Sequence, residues 1–169
     1  MRVSWSLALI ALVFALGSGS AHAQLSGTAN VVGNVLLKVN GCGKDTTVVT
    51  VTIVVHSNGT WSARTSEGFS FSGTDTLVGS SGQKLAFQFD SDSFPDFISF
   101  LLAETSHLCA RPVALVSLTQ KKFLLQLNQS RTKATFTLVY PFKGAGVATG
   151  QRSNGQYKLT GDGPWTPSS

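Results

Sequence analysis

Ala134-Thr135-Phe136-Thr137-Leu138-Val139-Tyr140-Pro141-Phe142 alternates with a period of two: Ala134, Phe136, Leu138, Tyr140 and Phe142 share one face, and Thr135, Thr137 and Lys143 share the other. Successive side chains of an extended chain point to opposite faces, so this stretch reads as a strand that is dry on one side and wet on the other. Outward from it the same rhythm recurs. Val49, Val51, Ile53 and Val55 form one set with Thr50 and Thr52 opposite; Phe69 with Phe71, Leu85 with Phe87 and Phe89, Phe123 with Leu125 and Leu127, and Tyr157 with Leu159 form others.

Turn chemistry separates these runs. Asn58-Gly59 and Asn154-Gly155 are the strongest signals because both residue types tolerate positive φ, and Ser80-Ser81-Gly82 is a weaker one. Strands are predicted near 28–39, 46–56, 60–65, 69–77, 83–89, 112–119, 122–128, 132–142, 145–152 and 156–161. Short links favour antiparallel neighbours, so the fold class is all-β: an up-and-down antiparallel meander of about eight to ten strands, closed as a small barrel or packed as a sandwich. Alternation reports which face is dry and leaves those two shapes open.

One segment breaks the period. Ser93-Phe94-Pro95-Asp96 has the chemistry of a helix start, with proline in the first turn and an acid near the positive end of the dipole. Phe94, Phe97, Ile98, Leu101 and Leu102 then recur at helical spacing, which predicts a short amphipathic helix over 94–106. Its apolar face is either a lid over a barrel mouth, gating an apolar ligand, or a plug that covers a sheet end.

The N-terminus reads as an export signal. Arg2 precedes an apolar run from Leu7 to Leu16, and Ala21-His22-Ala23 supplies the small-x-small pattern of a cleavage site. The run is too short to span a hydrocarbon core, which needs about 20 apolar residues. Residues 1–23 are therefore expected to be removed, leaving 24–169 as one β-rich domain that is secreted or periplasmic. The two cysteines of the chain, Cys42 and Cys109, are expected to form a disulfide in that oxidising compartment. Cys42 lies in the turn-like Gly41-Cys42-Gly43 and Cys109 follows the predicted helix, so the bond would pin helix to sheet.

Motifs that name a reaction do not emerge. There is no Gly-x-Ser-x-Gly elbow, phosphate loop or His-Glu-x-x-His helix, and beyond the signal only His56 and His107 remain as histidines. Both read as surface or capping residues, and no cofactor or metal is expected. Glu67 and Glu104 are the acid pair to consider for glycoside hydrolysis, although nothing in their spacing brings them together. Asp90, Asp92 and Asp96 are the one concentration of hard oxygen ligands. A helix-loop-helix calcium register from Asp90 places Pro95 where glycine is required and Leu101 where a bidentate glutamate belongs, so these acids read as helix-start and solvent-facing groups.

Charge is divided along the chain. Four basic residues face seven acidic ones between Gln24 and Ala110, whereas eight basic residues face Asp162 alone from Arg111 onward. Strand parity puts Lys122, Arg131, Lys133 and Lys158 opposite the apolar sets, as an outward face that would suit an anionic envelope polymer or simply meet solvent. Nucleic acid is disfavoured, because the aromatics that would stack on bases share parity with the core. Asn58-Gly59-Thr60 and Asn128-Gln129-Ser130 fit the glycosylation acceptor pattern. Trp61 and Trp165 each lie two residues after a glycine, which resembles the Gly-x-Trp of lipocalins; neither lies in the first predicted strand, no family is assigned, and both read as packing residues.

Three functional classes follow. The leading one is a non-catalytic secreted or periplasmic binding protein that takes an apolar small molecule inside a barrel or an anionic envelope component outside it. The second is an integral outer-membrane barrel whose apolar face looks to lipid. The third is an enzyme of unrecognised type, which would require Glu67, Glu104 or His107 to meet in one cleft.

Overall fold

A computed structural model describes residues 25–79, 81 and 83–168. The export signal read over 1–23 lies outside the described residues. Among the described residues nine strands and one helix follow in order: β1 (Gly27–Val39), β2 (Gly43–Val55), β3 (Thr60–Thr65), β4 (Ser70–Leu77), β5 (Lys84–Phe89), α1 (Ser93–Leu108), β6 (Val113–Leu118), β7 (Lys122–Leu127), β8 (Lys133–Gly146) and β9 (Arg152–Pro167). Strands β1 to β5 pair in succession, β7 joins β5 to β8, and β9 joins β8 back to β1, all antiparallel. The sheet therefore closes as an eight-stranded barrel, and the sandwich alternative falls away. Strands β6 and β7 lie end to end against successive halves of β8 and act as one interrupted strand.

Closure places the apolar sets inside. Ala134, Phe136, Leu138, Tyr140 and Phe142 are all buried, as are Val49, Val51, Ile53 and Val55 on β2. Their strand neighbours Thr50 and Thr135 are exposed. This is the reverse of a transmembrane barrel, whose apolar band faces lipid, so the outer-membrane reading is corrected by the side on which the apolar residues lie. Among the described residues, no helix is long and apolar enough to cross a membrane.

One seam of the barrel is thin. Strands β5 and β7 pair over only three positions, Lys84 to Gln126, Leu85 to Leu125 and Ala86 to Leu124. Past that point Gln120 substitutes for the ladder: its Nε2 donates to the Phe87 carbonyl at 3.1 Å, and the Tyr140 hydroxyl donates to its Oε1 at 2.6 Å. Buried polar groups need such partners, since an orphaned one costs about 1–3 kcal/mol.

The C-terminal hairpin differs from its expected form. Asn154-Gly155 is not a turn but lies within β9, where Gly155 pairs with Phe142 on one side and Val39 on the other. A Cβ at Gly155 would stand 2.2 Å from the Phe142 ring, so glycine is there to let the ring lie on the strand. The chain turns instead across 147–151, with Gly150 at φ 64°. The strand predicted over 145–152 is thus the end of β8 plus this turn, and the one over 156–161 is the middle of a longer β9.

Helix α1 crosses the barrel end formed by the β1–β2, β3–β4 and β8–β9 turns, and it packs against β4, β6, β1 and β2. Its start is organised by Asp90, whose Oδ1 accepts from the Ser93 amide at 2.7 Å and the Asp92 amide at 3.1 Å, while Oδ2 accepts from the Ser72 hydroxyl at 2.6 Å. The Ser72 hydroxyl and then the Ser93 amide hold the Asp90 carboxyl below its ordinary value of 3.8. A carboxylate with a depressed folded-state pKa contributes stability above the ordinary value and loses it as pH falls through the folded one. Asp90→Ala is accordingly expected to cost about 1 kcal/mol at neutral pH, the usual net worth of an intramolecular hydrogen bond. In strong acid the gap to wild type narrows; urea unfolding at both conditions checks this, and a gap independent of pH would contradict it.

Candidate functional site

Beneath α1 the inward side chains do not fill the barrel. They leave a chamber of about 390 Å³. Its floor is Trp61, whose ring stacks on Phe87 at 5.0 Å and meets Phe123 edge-on at 5.1 Å. The indole N–H donates to the Thr74 and Gln88 carbonyls, both at 3.1 Å, so the polar edge of the ring is satisfied and its flat face is locked. Val49, Val51, Phe136 and Leu138 contribute walls, and Phe97 and Phe100 come down from the helix.

The opening follows from the strand register. Strand β2 pairs with β1 along its full length, but β3 covers only Val51 to Val55. The Ser66 amide donates to the Thr50 carbonyl at 2.8 Å, closing that coverage. Beyond it the free edge of β2, the β3–β4 turn and α1 frame a mouth lined by Asp45, Thr47, Glu67, Phe69, Phe100 and Glu104. Tyr157 also lines the chamber and is 6% exposed. Its hydroxyl has no hydrogen-bond partner among the described residues, and burial first, then the Glu67 and Glu104 charges, push its pKa up.

The predicted lid residues divide. Phe97 and Leu101 are buried in the inward stripe Ser93, Phe97, Leu101, Thr105, whereas Ile98 and Leu102 are half-buried flanks and Phe94 is 37% exposed. The row beside the stripe, Phe100 and Glu104, is the one that looks into the mouth, and helical spacing alone did not distinguish it from solvent-facing positions. Cys42 and Cys109 form the expected disulfide, which ties the β1–β2 turn to the C-terminal end of α1. Such a bond belongs to an oxidising compartment outside the cytoplasm.

The four basic residues do not gather. Lys122 and Lys158 flank Val139 in register on the outer face, while Lys133 lies six residues along β8, about 20 Å away at strand rise. Lys133 is also paired with Asp162 at 2.6 Å, and Arg131 occupies the turn beyond it. Among the described residues no three His, Cys, Asp or Glu side chains converge as a metal site. His107 is exposed near the helix end and His56 begins the β2–β3 turn. Asn58 caps that turn, its Oδ1 accepting from the Thr60 amide and hydroxyl. The Asn128 Nδ2 donates to Ser130 and Thr132, so the glycan-accepting atom is already engaged in its loop.

Glu67 and Glu104, 37 residues apart, do meet at one mouth. The sequence signal for this mouth is Asp45 and Thr47: they share parity with Val49 and Val51, so two polar residues continue an inward row where the barrel stops being dry.

These features define a closed eight-stranded β-barrel with a disulfide-stapled helix across one end and an apolar chamber beneath it. No family model matches the chain, and neither a curated protein nor a solved structure matches it.

Proposed function

We propose that this protein is an exported, non-catalytic binding barrel that holds one small apolar molecule in its interior. The chamber carries the reading. Barrels of eight strands either fill their interiors with side chains or hold one small ligand, and here about 390 Å³ stays unfilled among aromatic and aliphatic walls. At about 30 Å³ for a water-sized group, that volume suits a ligand of roughly a dozen non-hydrogen atoms. The oxidised cysteines and the leader-like first 23 residues support a periplasmic or extracellular place of work.

Catalysis is not part of the proposal. Glu67 and Glu104 share the mouth, but the surface below them is mostly aromatic and aliphatic, suited to holding an apolar body. A bound molecule is expected to leave chemically unchanged. The scattered basic residues do not support an anionic-polymer site.

Titration with 1-decanol, a neutral probe of suitable size, tests this through Trp61 fluorescence. Wild type is expected to saturate with one equivalent. Ala63→Phe, which pushes a ring from β3 into the chamber, is expected to weaken binding by about tenfold or more while the far-ultraviolet circular dichroism stays unchanged. Absence of saturable binding to wild type, or equal binding by the filled variant, would overturn the proposal.

A further inference from the structure

The charge at the mouth has one sign. Three of the chain's eight acidic residues, Asp45, Glu67 and Glu104, line it, whereas among the described residues none of the basic side chains does, in a chain whose net charge is +5. Each acid comes from a different element: β2, the β3–β4 turn and α1. Lys44, next in sequence to Asp45, has the opposite parity on β2, and its register partner is Lys38.

Aromatic rings stand immediately inside the acids. Phe69 meets Phe100 at 4.8 Å, and Phe100 meets the Tyr157 ring at 5.9 Å, both edge-on. Tyr157 brings a polar group to the same place. It is buried, lines the chamber, and keeps a hydroxyl without a protein partner close enough to Glu67 and Glu104 to feel both charges. Its ring is buried while its hydroxyl stays accessible from the chamber, so a group that enters can meet it.

Resting on the reading of the chamber as a ligand site, we infer that the ligand is a cationic amphiphile: an apolar body lying over Trp61 and an ammonium group held at the mouth among Asp45, Glu67 and Glu104. The rings of Phe69, Phe100 and Tyr157 present their π systems to that cation, and the Tyr157 oxygen offers it a lone pair. Carboxylates outside and aromatics inside select charge without burying an unpaired acid. An anionic amphiphile of the same length meets three like charges and is rejected.

Three probes of equal chain length separate the two claims: decyltrimethylammonium, 1-decanol and decanoate, each titrated below its aggregation range. The cation is expected to bind about tenfold more tightly than the alcohol, with decanoate weakest, and the ratio is expected to shrink as salt is raised. The exposed Glu67 and Glu104 are replaced together as Glu67→Gln and Glu104→Gln, which is expected to bring the cation-to-alcohol ratio down to about one while decanol affinity is retained. If decanol binds and the cation gains nothing, or decanoate binds best, the charge assignment is overturned and the apolar chamber stands. If none of the three binds, the chamber reading fails and takes this one with it.

Discussion

Replacing Cys42 and Cys109 together by serine is expected to lower the unfolding free energy by about 4 kcal/mol, the chain-entropy value for a bond closing a separation of 67 residues. Domains of this size hold only about 5–15 kcal/mol in total, so the melting temperature should fall by roughly 10–15 °C. The two cysteines tie the β1–β2 turn to the end of α1, and α1 frames the chamber mouth. Breaking the bond should therefore also speed ligand release, because the helix that roofs the chamber is then held to the barrel by the main chain and packing without a disulfide cross-link. Calorimetry of the oxidised wild type against the double variant checks the first effect, and stopped-flow dilution of bound decanol checks the second. An unchanged melting temperature would mean that the staple constrains nothing.

Phe97→Ala is expected to cost about 3–5 kcal/mol, whereas Phe94→Ala on the same helix should cost under about 1 kcal/mol. Phe97 is 2% exposed and its ring packs against Phe89 and Tyr140 at 5.0 Å and Tyr157 at 5.6 Å. Phe94 is 37% exposed, and its one ring neighbour among the described residues, Phe89, is at 6.2 Å. Phe97 also lines the chamber, so its loss enlarges the space and should shift preference toward longer alcohols. Urea denaturation of both variants decides the stability claim. A Phe94 variant as damaged as the Phe97 variant would place the helix on a different face.

The contrast between these two residues shows where pattern alone stops. Helical spacing identified an apolar side of α1 centred on Phe94, Phe97, Ile98, Leu101 and Leu102, but burial depends on how the helix is rolled over the barrel end. The helix is held at its start by the Ser93 amide bond to Asp90 and just past its end by the Cys109 disulfide, and neither feature is written in helical spacing. Strand parity was far more legible, because a period of two leaves only two faces and Phe136 and Leu138 cannot both point to water without moving the whole row. Barrel closure was not legible, since it depends on β9 reaching back to β1 after the whole sheet has curled.

The Asn154-Gly155 pair misleads for a local reason. Both residues permit a turn without requiring one, and at Gly155 the deciding demand is space for the Phe142 ring. Asn58-Gly59 has no such competing demand: Gly59 adopts φ 79° and its amide closes back on the His56 carbonyl at 3.3 Å. The candidate site was legible only in fragments, as a crowded aromatic row and two polar residues at the end of an inward one. Its mouth draws on β2, a turn and the helix, and no sequence window contains more than one of these.

The central claim is that an apolar ligand lies within the barrel and over Trp61. Proton NMR of the protein with one equivalent of 1-decanol tests it directly. Nuclear Overhauser contacts are expected from the decanol chain to the Trp61 indole and the Leu138 methyls, both lining the chamber. Contacts confined to the exposed Val32 and Val48 of the outer surface, or none, would contradict it.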